Sequence, residues 1–186
     1  MVHERVLCHV CCAQCYVGVY PELARAAKKV EGFFYNPNIH PLLEFRRRLK
    51  STKVLADQMK IDIHYDERYG LREFLRAVVN HEDERCPLCY QMRLRKTAEY
   101  AKGHGFDAFT TTLLISRHQK HDMVAEIGRK VADEVGVEFY YRDFRHLADD
   151  AHREAKRRHL YLQQYCGCIY SEEERYRDTT KYLYRQ

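Results

Sequence analysis

The sequence predicts an α/β fold: a mainly parallel sheet with helices on both faces. Two observations predict it. Short apolar, β-branched segments alternate with longer helical ones along nearly the whole chain, and that alternation marks βαβ units. The chain has 186 residues, 45% of them hydrophobic, which suits one domain with an ordinary core. A single α/β domain over residues 1–186 is therefore expected.

The elements follow in order. "RVLCHVC" is apolar and β-branched and reads as a buried strand. Residues 16–29 read as a helix, with Pro21 near its first turns or marking a break. "EGFFYN" is a second strand, ended by the Asn-Pro-Asn turn at 36–38. Residues 41–59 form a helix with Leu42, Phe45, Leu49 and Met59 on roughly one face. "IDIHYD" alternates and reads as a third strand, and residues 71–79 look helical. Residues 90–102 form another helix, which carries Met92, Leu94, Ala98 and Ala101 among basic residues and ends at "KGHG". "DAFTTTLLI" is a Thr-rich, apolar strand. Residues 122–135 form a helix through Val124, Ile127, Val131 and Val135, stopped by Gly136. "VEFYYRDF" is the last clear strand, residues 147–164 are helical and charged, and "YCGC" leads into a polar, basic tail. In parallel sheets ligands sit at the carboxyl ends of strands, where strand order reverses. "HVCCAQC" falls at the end of the first strand. Neither GxGxxG nor a Walker A pattern occurs, so no nucleotide loop is announced.

Eight cysteines carry the chemistry: Cys8, Cys11, Cys12, Cys15, Cys86, Cys89, Cys166 and Cys168. The first residues, "MVHERVLCHV", lack a long apolar core and a small-residue cleavage site, so a cytoplasmic location is expected. Cytosolic thiols stay reduced, and C-C, C-x-C and C-x₂-C spacings put sulfurs side by side as metal binding needs. Cys8, inside a strand, reads as a small hydrophobe. The others sit in three groups, each at the end of an element. Four thiolates would satisfy zinc or a [4Fe–4S] cluster. The excess over four suggests a second metal with an open coordination position.

No apolar run approaches the ~20 residues needed to span a membrane. Lys and Arg number 32 against 27 Asp and Glu, a mildly basic balance that fits an RNA partner. Tyr beside Arg recurs in "YYRDFR", "ERYRD" and "YLYRQ"; such pairs stack on bases and contact phosphates, or pack at a core edge.

Five blocks in order over nearly the whole chain, "HVCCAQC", "FFYNPNIHPLLEFRRR", "ERCPLCYQMRL", "FTTTLLIS" and "YCGCIYS", resemble the epoxyqueuosine reductase family of the QueH type. The resemblance implies removal of the epoxide oxygen from epoxyqueuosine at the wobble position of tRNA with GUN anticodons. It implies iron–sulfur dependence without cobalamin, and a Rossmann-like fold of the HUP, nucleotide α-hydrolase-like branch. Some relatives carry Asp where this chain has Cys15, an exchange that suits a ligand to a second metal.

On that reading the metal set is Cys11, Cys12, Cys15, Cys86, Cys89, Cys166 and Cys168: a [4Fe–4S] cluster and a second, mononuclear iron, with the division between them open. A C-terminal segment, about 160–186, would close the site. Cys12, Cys15 and the adjacent His9 form the expected catalytic group. A His so placed either transfers protons or hydrogen-bonds backbone or sulfur. Expected substrate contacts are Asn36, Asn38, His40, Thr111, Thr112 and Ser116, although Asn-Pro-Asn is also an ordinary turn. For tRNA the expected contacts are Arg46, Arg93, Arg117 and Arg185, with Arg47, Arg48, Arg95, Lys96, Arg157 and Arg158 beside them. An external donor would supply single electrons. Two rival readings remain: an ATP-dependent iron–sulfur tRNA thiolation enzyme, whose Ser-Gly-Gly-type loop is replaced here by cysteines, and a structural-zinc RNA-binding module.

Overall fold

Val6, Leu7 and Cys8 are all buried. Successive strand residues point to opposite faces, so this strand needs a covering layer on both sides. The computed structural model, which describes residues 3–179, supplies them. Five strands, β1 (His3–His9), β2 (Ala27–Phe34), β3 (Ile63–Tyr65), β4 (Ala108–Thr111) and β5 (Glu138–Phe139), form one sheet in the order β3-β2-β1-β4-β5. Every pairing is parallel. The helices are α1 (Ala13–Ala26), α2 (Leu42–Met59), α3 (Leu71–Val78), α4 (Arg85–Gly103), α5 (His121–Val135), α6 (Ala148–Arg157) and α7 (Ile169–Tyr176). α1 packs on α2 and α6, while α4 packs on α3 and α5. This is a Rossmann-like α/β fold. No helix among the described residues is long and apolar enough to cross a membrane.

Strand order reverses between β1 and β4. The register His9↔Thr111 brings their carboxyl ends side by side, which opens the crevice where such sheets bind ligands.

Several boundaries differ from expectation, each for a local reason. α1 starts at Ala13 because Cys12 takes the N-cap: its sulfur accepts the Cys15 N–H at 3.4 Å. Pro21 sits inside α1 without ending it. Residues 27–29, expected to be helical, open β2, because pairing with His3 and Arg5 overrides local propensity. The C-x₂-C pair lies inside the first turn of α4 instead of before it. β4 stops at Thr111, whose hydroxyl accepts the Leu113 N–H and caps a 3₁₀ turn over Thr112–Ile115. β5 is shorter than the segment expected for it, and α6 ends at Arg157 instead of running to 164. Just beyond it His159 takes a left-handed φ of 55°, which turns the chain back along α2. The start of the expected irregular tail is α7, capped by Cys168. Gly136, with a positive φ of 76°, ends α5 where expected.

Glu31 ties three strands together. Its buried carboxylate meets Arg5 of β1 at 2.9 Å, Lys29 of β2 at 3.1 Å and His64 of β3 at 2.7 Å. Burial alone would raise its pKa, but hydrogen bonds from Arg5, His64 and Lys29 outweigh that and hold it at about 2. A depressed carboxyl stabilises the fold fully above its ordinary value near 4.5, and that stabilisation fades as pH falls toward 2. Glu31→Gln is expected to cost about 2 kcal/mol at pH 7, with the deficit shrinking on acidification. Guanidinium unfolding at both ends of that range tests it; equal stabilities at pH 7 would refute it.

Candidate metal centre

The end of β1 delivers the first sulfur group. Cys11 and Cys12 lie in the turn after the strand, and Cys15 lies on the first turn of α1. The three sulfurs all lie within 4.8 Å of one another, and Cys11 Sγ is 3.9 Å from Cys12 Sγ. Thr112 braces the turn from β4's side: its hydroxyl accepts the Cys11 N–H at 3.0 Å and lies 3.1 Å from the Cys11 sulfur. Hydrogen bonding from Cys12, Cys15 and the Thr112 hydroxyl pulls the Cys11 pKa well below the ordinary thiol value, against burial. Cys8 is sealed in the core, where burial pushes its thiol up.

The second group comes from two elements. Cys86 and Cys89 are in the first turn of α4, and Cys166 and Cys168 flank Gly167 before α7. Burial raises the Cys89 pKa, and the charges of Cys166, Cys168 and Cys86 add to it. Cys89 and Cys168 pack into one buried cluster with Phe74 and Val78. Gln119 donates an N–H to the Cys166 sulfur at 3.2 Å, and its carbonyl accepts the Tyr90 hydroxyl at 2.7 Å.

Two buried arginines hold this arrangement. Arg48, on α2, donates to Glu44 at 2.7 Å, to the Cys166 carbonyl at 2.9 Å and to the Tyr165 carbonyl at 3.0 Å. Glu44 also accepts the Tyr161 hydroxyl at 2.6 Å. The His40 N–H meets the Gly167 carbonyl at 2.7 Å, and the Tyr165 hydroxyl donates to the His40 carbonyl. Residues 161–168 are latched onto α2 and the Asn-Pro-Asn turn by these bonds. Arg93, on α4, is buried one helical turn after Cys89.

A cleft of ≈ 590 Å³ opens beside the sulfurs, and both Cys15 and Cys166 line it. Ser116 and Arg117 also line it. Arg117 forks onto Asp149 at 2.8 and 3.0 Å. Gln14, His118, His152 and Gln163 complete a polar wall; their positions carried no sequence signal, because their elements meet only in the fold.

Other expected site residues are placed differently. His9 is fully buried, with Nε2 3.1 Å from the Tyr35 carbonyl and Nδ1 2.9 Å from the Thr111 hydroxyl. A carbonyl only accepts, so Nε2 carries the proton and Nδ1 accepts from Thr111. Burial and then the charge of Arg93 lower its pKa to about 4. His9 is neutral with both nitrogens engaged, so it is corrected from proton donor to structural brace. Thr111 and Thr112 are likewise committed, to His9 and Cys11, and are corrected from substrate contacts. Asn36 donates to the Val10 carbonyl at 2.9 Å. Asn38 is buried with both amide atoms unpartnered, beside Gly167. His40 packs its ring against Tyr69 and Phe74, and burial lowers its pKa to about 4. Arg46 is exposed on α2, but Arg48 and Arg93 are buried and are corrected from tRNA contacts. Arg185 lies outside the described residues. The i,i+4 spacings Glu44–Arg48 and Cys89–Arg93 were the available signals for these two arginines.

The residues fit metal. Tetrahedral thiolate sites with bonds near 2.3 Å put sulfurs about 3.8 Å apart, so Cys11, Cys12 and Cys15 need little movement to hold one ion. Among the described residues they are the one such group of this tightness. The second group is wider, which suits a polynuclear centre bound at several corners. Arg93 Nη2 and Asn38 Nδ2 are buried donors without acceptors, as expected where an anionic group completes the site.

Gly167 has φ of 138°, and a Cβ there would sit 3.2 Å from Arg48 Nη1. Gly167→Ala is expected to destabilise the fold by about 1–3 kcal/mol and to lower bound metal per chain. Thermal unfolding and metal analysis check this; unchanged metal content would contradict the role of this loop.

A family model described as "Epoxyqueuosine reductase QueH" matches residues 6–174. A protein of that name from Dehalococcoides mccartyi is 39% identical over 172 residues, covering 92% of this chain and 94% of its own length. Another from Thermotoga maritima is 34% identical over 91% of each chain. One from Haemophilus influenzae is 34% identical over 96% of this chain and 76% of its own. The match spans all three cysteine groups and both buried arginines, and the chain belongs to the epoxyqueuosine reductase QueH family.

Proposed function

We propose that the chain reduces epoxyqueuosine to queuosine at the wobble position of tRNA with GUN anticodons, in the cytosol and without cobalamin. The observation that carries this reading is the cleft whose wall includes Cys15, from the start of α1, and Cys166, from the segment before α7. Its ≈ 590 Å³ suits a nucleoside-sized ligand. A wobble base lies in an anticodon loop and can be splayed into a pocket without opening a helix.

Cys11, Cys12 and Cys15 would hold a mononuclear iron, and Cys86, Cys89, Cys166 and Cys168 a [4Fe–4S] cluster. Bound there, iron supplies Lewis acidity toward an epoxide oxygen and one-electron transfer from an external donor. The reaction breaks both C–O bonds, consumes two electrons and two protons, and yields an alkene and water. His118 and His152 line the cleft and are the imidazoles placed to give those protons. Gln14 lies 3.4 Å from His152 Nδ1 and orients it. Ser116 and Gln163 face the cleft as polar contacts for the nucleoside. Asn36, Asn38 and His40 shape the turn under Gly167 and act on the substrate through it. Arg117 and Arg175 on the cleft rim, with exposed Arg46, offer charge to the tRNA backbone.

The direct test incubates anaerobically purified protein with dithionite and epoxyqueuosine-containing tRNA, then analyses the nucleosides. Queuosine is expected, from a brown protein containing iron and sulfide. A colourless protein holding only zinc would overturn the reading. Cys12→Ala and Cys86→Ala are each expected to lose iron and at least about 100-fold in activity. Full iron and activity in both would refute the ligand assignment. Binding of tRNA should weaken steeply with salt, the log–log slope changing by about 0.7–0.9 per phosphate contact; a flat response would remove the arginines from the interface.

A further inference from the structure

We infer that Arg93 is the internal counter-cation of the metal centre: it is balanced by metal-bound thiolates and raises the centre's reduction potential. This rests on the iron–sulfur reading above. Arg93 and Arg48 head the largest fully buried side chains of the protein, yet they differ in one respect. Arg48 has a carboxylate partner, Glu44, at 2.7 Å. Arg93 pairs with no carboxylate among the described residues. Its Nε–H points to the Cys89 carbonyl at 3.4 Å, a long contact, and its Nη2 has no acceptor. Its own helix carries Cys89 one turn and Cys86 two turns before it. The Tyr90 ring lies 5.9 Å from its guanidinium carbon.

A buried guanidinium without an anion is strongly unfavourable. Neutral thiols do not offset it. Metal binding removes those protons and makes the sulfurs anionic. The charge of Arg93 is then compensated. The helix sets this placement: Arg93 follows Cys89 by four residues and shares its face. Iron–sulfur potentials rise with positive charge and with hydrogen bonds to sulfur, so each added electron is easier to accept beside Arg93.

The test compares Arg93→Met, Arg93→Gln and Arg93→Lys with wild type by iron and sulfide content and by redox titration followed by electron paramagnetic resonance. The midpoint potential is expected to fall in the Met and Gln variants, with the Lys variant nearer to wild type. Chelator-driven iron loss should run about 10-fold faster in Arg93→Met. Should Arg93→Met fail to fold with metal, Gln against Lys decides, because both keep a polar side chain and only Lys keeps the charge. Equal shifts in Gln and Lys, or unmoved potentials with full iron, overturn the inference. A wild type without any iron–sulfur signal overturns the cofactor reading and this inference together; a normal wild-type signal beside unmoved variants overturns this one alone.

Discussion

Everything at the centre depends on the parallel pairing of β1 with β4. That pairing sets His9 opposite Thr111, and one residue further each strand gives way to a capped turn. On one side the Cys12 sulfur caps α1; on the other the Thr111 hydroxyl caps the 3₁₀ turn. The two caps are cross-linked, His9 to Thr111 and Cys11 to Thr112, across more than a hundred residues of sequence. A slip of one residue would turn every one of these side chains to the opposite sheet face. The crevice is where a nucleotide-binding relative of this fold would place a phosphate loop; here sulfur lines it.

The second constraint is the return of the chain's end. α6 packs on α1, and the turn after it sends residues 161–168 across α2. This stretch has no regular structure, so its carbonyls need partners from elsewhere. Arg48 supplies two of them, and Glu44 holds Arg48 and Tyr161 together. A bidentate arginine fits because its planar fork presents two parallel N–H groups, which a lysine cannot do. Through this latch a helix on one face of the sheet positions cysteines that meet α4 from the other.

The sheet, its parallel sense and most helices were legible in the sequence, since buried strands are β-branched runs and helices keep a 3.6-residue period. The cysteine groups were legible because ligand spacing is local. What faced what was not. "FRRR" and "MRLRK" look like solvated basic faces, and nothing local separates Arg48 and Arg93 from their exposed neighbours except the four-residue offset from Glu44 and Cys89. Thr111 and Thr112 looked free for a ligand because their partners arrive by strand pairing. α7 was missed because its short, charged sequence has weak periodicity; the Cys168 cap starts it.

The two buried arginines also divide the electrostatic work. Arg48 is neutralised by Glu44, so its role is directional: hydrogen bonds that hold a loop. Arg93 has no such acid, so its charge acts outward on whatever surrounds it. The same charge, after burial, depresses the pKa of His9, which keeps that ring neutral and its tautomer fixed against Thr111. The Thr111 hydroxyl donates to His9 and accepts the Leu113 N–H, so one side chain ties the end of β1 to the cap that closes β4.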